Sequence, residues 1–268
     1  MAGIEHAAEA VFGKKPAAVE ALAGGDISGA SRISFADGST CIGKSGPLID
    51  REARMLDAIR QLNVPAPEVL GITDTWLFLQ DVGPLQPFDA AAWRALAQCI
   101  AQLGAARNDR EYGWSEDYGL RHVTVANSPH ASWVAFWRDN RLLCHVPHLD
   151  RDLGCRVSAL AEKLGDIIPE QPLMSLVHGD LWGGNVVWDG AKAWLIDPCA
   201  YYGDREVDVA ALTVFDAPPM EFFETVGLAP GWQQRLPVYR LWMWLIHVRL
   251  FGSSYRAAAE RDLERLGF

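Results

Sequence analysis

Apolar and polar positions change their spacing along the chain, and the change marks the elements. Across residues 27–45, Ser, Ile and Phe alternate and Asp37-Gly38 supplies a strong turn. That pattern predicts a β-hairpin whose second strand ends near Lys44. From 51 to 62 the period lengthens: Ala53, Leu56, Ile59 and Leu62 recur at helical spacing, with Asp50 placed to cap the helix. Asn63-Val64-Pro65-Ala66-Pro67 then stops it. Two more strands follow, at 67–73 and 76–82, with a turn at Asp74.

Gly83-Pro84 and Pro87 break the pattern, and beyond them it turns helical. Residues 90–106 place Trp93, Leu96, Ile100 and Leu103 on one side. Further helices are expected at 131–146, 152–167, 204–216, 220–227, 231–251 and 254–266. Two short apolar runs, 186–188 and 193–196, hinge at Asp189-Gly190 and predict a second hairpin. No internal repeat is visible. The expectation is an α+β fold of two lobes. A small β-rich lobe with one helix would span 1–82, and a larger, mainly helical lobe 83–268.

Composition narrows the partners. The chain has 268 residues and a formal net charge of −10, with no cluster of Lys or Arg. That argues against nucleic acid and anionic membrane as partners. The five cysteines are scattered without a CxxC pair, as in a reduced, cytoplasmic protein. Cys144-His145-Val146-Pro147-His148 has no matched second pair and reads as ordinary helix-end residues. Glu5 and Glu9 stand where a signal peptide would be apolar. The run LWMWLIHVRLF, with His247 and Arg249, is short of a membrane span and is expected to be a buried helix. Oligomeric state is left open, with a monomer favoured.

The candidate chemistry lies in LVHGDLWGGN, residues 176–185. Three glycines in ten residues make a helix there costly. Asp180 precedes Asn185 by five positions, and Asp197 follows Asn185 by twelve. The hairpin between them would bring Asn185 and Asp197 together at its two ends. Oxygen side chains of this kind suit Mg2+, which takes few protein ligands and completes its shell with phosphate and water. Asp180, left free of metal, could orient an attacking hydroxyl and accept its proton. Glycines 179, 183 and 184 would admit tight turns and the approach of a triphosphate. A glycine-rich surface turn is the bland alternative. The order H-G-D-x-x-x-x-N, then a hairpin ending in I-D-P, matches the catalytic and metal-binding motifs of protein kinases instead.

Two stretches, HGDLWGGN and IDPCAYYGDREVDVA, resemble the signatures of the fructosamine kinase (ketosamine-3-kinase) family. That family is related to the aminoglycoside and choline phosphotransferases and shares the protein-kinase-like fold. Weaker similarity runs through GGDIS near the start, Asn127 six residues before Trp133, and Tyr239 to Gly252. The resemblance implies ATP and Mg2+ as cofactors and Asp180 as the base. Asn185 and Asp197 would hold Mg2+ against the phosphates. His178 would buttress the loop, and Asp208 would hydrogen-bond back to it. In the small lobe, Lys44 would meet the phosphates and Glu52 would pair with it. Gly25, Ser28 and Gly29 would turn over the phosphates. Gln80 and Val82, within LQDV at 79–82, would fall in the adenine-binding hinge. Trp182, Tyr201, Tyr202, Trp133 and His247 are candidates for the acceptor pocket; packing is the stronger reading for each except Trp182, whose place in the catalytic loop balances the two.

This sequence departs from the family pattern at several positions. Asp26 stands where Cys is frequent, and Gly104 follows Leu103 where His is common. Ile246, Val248 and Leu250 surround His247 in place of more polar or aromatic residues. The reaction implied is phosphorylation of a ketosamine, free or protein-borne, at its third hydroxyl, which makes the adduct labile and frees the amine. The rivals are another small-molecule phosphotransferase, acting on an aminoglycoside, a choline-like amine or a free sugar, and a nucleotide-binding pseudokinase. Lys44, Glu52, Asp180, Asn185 and Asp197 are all present, which weighs against the last.

Overall fold

The computed structural model describes residues 2–22, 29–105 and 111–268. Gly25 and Ser28 lie outside them. In chain order the first elements are α1 (Ala2–Phe12), β1 (Pro16–Ala21), β2 (Ala30–Phe35), β3 (Thr40–Ser45), α2 (Ile49–Gln61), β4 (Val69–Ile72) and β5 (Trp76–Gln80). Next come α3 (Ala90–Leu103), β6 (Tyr118–Leu120), β7 (Val123–Val125), α4 (Trp133–Trp137) and α5 (Arg151–Lys163). Then follow β8 (Met174–Val177), β9 (Val186–Trp188), β10 (Ala193–Leu195) and β11 (Tyr201–Asp204). Four helices finish the chain: α6 (Glu206–Phe215), α7 (Met220–Val226), α8 (Trp232–Phe251) and α9 (Arg256–Leu266).

The chain divides into two units, Met1–Ala92 with Gly184–Pro198, and Trp93–Gly183 with Cys199–Phe268. The first is built on an antiparallel sheet in the order β1-β2-β3-β5-β4. Helix α1, which the apolar pattern did not signal, buries Ile4 and Ala8 with Ile33, Phe35, Cys41 and Phe78. Its approach is close. A Cβ on Gly43 of β3 would lie 2.8 Å from the Ile4 Cδ1. Helix α2 buries Ala53, Met55, Leu56 and Ile59, the stripe that its periodicity predicts. Asp50 is not its cap. The N-cap is Leu48, with no side-chain capping bond, and Asp50 sits inside the first turn and pairs with Arg54 at 3.1 Å. The expected boundary at 82/83 also moves. The β9–β10 hairpin belongs to the first unit because backbone bonds tie it there: Leu195 N–H donates to Pro65 O and Gln86 N–H to Trp188 O.

The second unit is mainly helical around an aromatic core of Trp133, Phe136, Trp137, Tyr201, Tyr239 and Trp242. The helix expected at 131–146 is α only over α4. It then widens to a π turn at Arg138–Leu142 and tightens to 3₁₀ at Leu143–His148, where Pro147 stands. The helix expected from 204 starts at 206, because Tyr201–Asp204 pairs antiparallel with Met174–Val177. That two-stranded ribbon was not foreseen. It carries His178 at the end of β8 and leads through β11 into α6. Helix α8 buries Leu241, Trp242, Met243, Leu245 and Ile246. Among the described residues no helix is long and apolar enough to cross a membrane.

Candidate active site

In the first unit, strand β3 places Lys44 with its side chain inward, 3% exposed. Its Nζ lies 2.5 Å from Glu52 Oε1, on the first turn of α2, and 2.7 Å from Asp197 Oδ1. Burial alone would drive the lysine pKa down. The Glu52 and Asp197 carboxylates outweigh burial, and the net shift is upward. A buried ammonium with two carboxylates is an expensive arrangement in a structural core, and such clusters mark functional sites.

Asp197 reaches Lys44 from a strained backbone. Its φ is +54°, in the left-handed region that side chains other than glycine rarely adopt. It follows Ile196, whose N–H donates to Asn185 O at 3.0 Å. The β9–β10 hairpin thus closes with Asn185 at one end and Asp197 next to the other. Asn185 is buried, and the Asp197 side chain remains 34% exposed. An amide oxygen and a carboxylate are the hard donors that Mg2+ takes, with few from protein. That fits Asn185 and Asp197 as its ligands. No larger His, Cys, Asp or Glu cluster suited to a metal occurs among the described residues.

The proposed nucleotide positions are less uniform. Gly29 has open space where a Cβ would stand. At the end of β5 the Gln80 N–H donates to Glu68 O and its Oε1 accepts from Glu68 N–H. The segment that follows is set by Asp81. Its carboxylate takes two bonds from Arg32, at 2.7 and 3.2 Å, and one from Gly83 N–H. Val82, between them, is half-buried.

In the second unit, β8 delivers a buried His178, then Gly179 at φ +80°. Any side chain at Gly179 would run into the Cys199 carbonyl, so glycine is required twice over. Asp208, on the first turn of α6, accepts from His178 N–H at 2.7 Å and from Gly179 N–H at 2.9 Å. Burial raises its pKa to about 7 against the pull of those two bonds, and the Asp180 charge adds to the rise. Asp180 itself is half-buried, with its N–H 3.4 Å from His178 Nδ1. Further along, Gly183 N–H donates to Asp216 Oδ2 at 2.8 Å. The spacing of residues gave no sign of Asp216, which stands 33 positions from Gly183.

The acceptor-pocket candidates separate. Trp133 and Tyr201 are fully buried, so both are corrected to core residues. Trp133 Nε1–H donates to Tyr239 Oη, whose hydroxyl donates to buried Asp204. Tyr201 packs on Phe136 and under the Arg141 guanidinium. Both rings fill the hydrophobic centre of the unit, where they exclude water rather than meet a ligand. Tyr202 is half-buried and stacks on Trp114. His247 is half-buried, its Nδ1 2.7 Å from Met243 O and its ring 5.1 Å from Phe215. Trp182 is 39% exposed and meets Phe215 edge-on at 6.1 Å. At Gly104 a Cβ would meet the Arg205 guanidinium, the far end of a flexible side chain.

A small antiparallel sheet with its helix, joined to a mainly helical unit bearing an H-G-D loop, defines a protein-kinase-like phosphotransferase fold. The profile of the fructosamine kinase family matches residues 3–267, and the chain belongs to that family. A "probable ketoamine kinase" of Synechocystis is 32% identical over 185 residues, 65% of this chain and 62% of that protein, under two thirds of its length. Another, of Staphylococcus aureus, is 28% identical over 92% of both chains. A solved Thermobifida fusca structure, provisionally named fructosamine-3-kinase, is 26% identical with a TM-score of 0.91 over 99% of this chain and 98% of that one. An aminoglycoside phosphotransferase in complex with AMP-PNP and hygromycin B shares the fold alone, at 18% identity and a TM-score of 0.70 over 100% and 97%.

Proposed function

We propose that this protein is an ATP-dependent phosphotransferase acting on a sugar-type hydroxyl of a ketosamine. The observation that carries the reading is the buried Lys44–Glu52 pair with the partly exposed Asp197 beside it. An ammonium held there offsets phosphate charge, and Glu52 keeps it in place. Membership of the family and the names of the relatives support a ketosamine acceptor. The AMP-PNP bound in the aminoglycoside phosphotransferase supports a nucleoside triphosphate donor.

Asp180 aligns the acceptor hydroxyl and takes its proton as the oxygen attacks the γ-phosphorus. The bond from that phosphorus to the β-phosphate oxygen breaks, and ADP leaves. Asp208 holds the loop through the His178 and Gly179 N–H groups, so that Asp180 is presented in one geometry. Asn185 and Asp197 would hold Mg2+, which when bound neutralises charge on the phosphates. Positioning and charge supply most of the acceleration in such transfers. Phosphorylation at the third hydroxyl would make the adduct labile and release its amine, a deglycation repair.

The test is ADP release across a panel of ketosamines, simple amines, free sugars and aminoglycosides, with and without Mg2+. The expected result is Mg2+-dependent release with a ketosamine. Release with an aminoglycoside or free sugar alone would replace the acceptor assignment, and no release with any acceptor would overturn the enzyme reading.

A further inference from the structure

Among the described residues, Asp216 is a carboxylate at the H-G-D loop that the proposed reaction leaves without a part. It follows the last residue of α6, at the end where the helix dipole presents its negative pole. An anion there is electrostatically unfavourable. Among the described residues Asp216 forms no ion pair, and its carboxylate accepts a single hydrogen bond, from Gly183 N–H to Oδ2 at 2.8 Å. Oδ1 accepts none. It lies over the Gly183 backbone, 2.6 Å from where a Cβ would stand. The group is half-buried, so water screens it less than it would a surface aspartate.

Its surroundings are aromatic and partly open. Phe215, the preceding residue, is 46% exposed, and Trp182, the residue before Gly183, is 39% exposed. The two rings meet edge-on at 6.1 Å, and Phe215 continues to His247 at 5.1 Å and to Trp244 at 6.1 Å. Aromatic faces attract organic cations and also pack against the C–H face of a sugar. A carboxylate with an unused oxygen, a helix C-terminus and exposed rings share one preference, for a cation that carries apolar surface.

We propose that Asp216 is a specificity-determining residue that recognises the protonated linking amine of the acceptor. Trp182 and Phe215 flank that cation. This rests on the phosphotransferase reading above and adds to it a requirement. The acceptor bears positive charge beside the sugar, and a neutral sugar of the same shape is discriminated against. Asp216 does not take part in the transfer step. Oδ2 holds Gly183, and Oδ1 meets the amine.

The test pairs two acceptors: a fructosyl-lysine derivative, protonated at its linking nitrogen, and its counterpart acylated at that nitrogen, which is neutral. Wild type and D216N are compared by kcat and KM for each, and by KM for ATP. Asparagine keeps an oxygen for Gly183 N–H and replaces the charge. The expected result is a KM for the cationic acceptor raised roughly tenfold in D216N, the size of a lost charge-assisted hydrogen bond. The kcat, the KM for the neutral acceptor and the KM for ATP should stay within about twofold. D216E, which keeps the charge, should retain the preference for the cation. Unchanged KM values in D216N, or equal rises for both acceptors, would overturn the assignment while leaving the phosphotransferase reading intact. A wild type that turns over neither ketosamine nor neutral analogue overturns both.

Discussion

Glu52 and Asp208 are both buried carboxylates on the first turn of a helix, but they are held in different ways. In the first unit Glu52 meets the Lys44 ammonium, which also meets Asp197. In the second unit Asp208 has two backbone N–H groups and no ion pair among the described residues. The first arrangement is a charge device. Removing one member leaves uncompensated charge in a place where water cannot reach. The second is a geometric device, in which the carboxylate organises a loop and its own ionisation is in question near neutral pH. Charge handling and loop shape are thus assigned to separate residues, and each can be disturbed alone.

The largest expected effect falls on the residue that the loop presents. Asp180→Asn should lower turnover by about 10³-fold or more, with nucleotide binding retained, by analogy with the loss of other acid–base groups. Isothermal titration with AMP-PNP beside an ADP-release assay separates the two quantities. Unchanged turnover would remove Asp180 from the chemistry and make the loop a structural turn.

Lys44→Ala should come next. It strands Glu52 and Asp197, so a stability loss of about 3–5 kcal/mol is expected by urea denaturation, together with a fall in turnover of about a hundredfold. A variant as stable as wild type would mean that the three charges are not energetically joined.

Asp208→Asn should cost less, about 1–3 kcal/mol, since an amide can accept from one of the two N–H groups and its NH2 then opposes the other. Its pH signature is the sharper reading. The folded pKa near 7 lies above the ordinary 3.8. Between those values the native state holds a proton that the unfolded state has released. Stability therefore falls as pH rises from about 4 to about 7 and levels above it. Asp204, also raised to about 7 by burial, shares that window. D208N should make the fall in Tm shallower without abolishing it. Turnover in wild type should rise as Asp208 ionises through about pH 7, because only the carboxylate accepts from both N–H groups. Lys44 acts in the same direction but in a higher pH window. Its raised pKa gives stability that is full below the unfolded value and lost only as pH climbs through the folded one. D208N should leave that alkaline arm untouched.

The smallest effect marks the contrast between buried and exposed pairing. Asp50→Ala removes an exposed i,i+4 contact with Arg54, for a loss of about 0.3–0.5 kcal/mol in chemical denaturation. A loss comparable to that of Lys44→Ala would show that exposure does not govern the strength of these pairs.

Much of this contrast was readable in the sequence. Asn185 and Asp197 come from a local signal, a hairpin with its hinge. The pairing of Lys44 with Glu52 came from the family resemblance, because a lysine at a strand end and a glutamate on a helix first turn are ordinary by themselves. The periodicity of α2 predicted its buried stripe because one face packs on one sheet. Other elements left no such mark. Strand β1, PAAVEA, is mostly exposed and does not alternate, and β8 is buried at all four positions. Neither gives period two. The ribbon of β8 and β11 pairs residues 24 to 30 positions apart in sequence, and no local pattern encodes that partner. Trp133 and Tyr201 are large rings that could line a pocket or fill a core. Their chemistry as large rings is satisfied by the core, and burial decides between the two. Asp216 went unread for the opposite reason, since a lone carboxylate after a helix resembles many on a surface and its contact with Gly183 exists only after folding.

The most direct test of the phosphotransfer account is to follow phosphorus itself. ³¹P NMR of wild type with ATP, Mg2+ and a ketosamine should show the γ-phosphate resonance decline as a phosphomonoester resonance grows on the acceptor, with ADP in equal amount. The same mixture with Asp180→Asn should show neither over the same time. Absence of the monoester with wild type, or its equal appearance with the variant, would contradict the account.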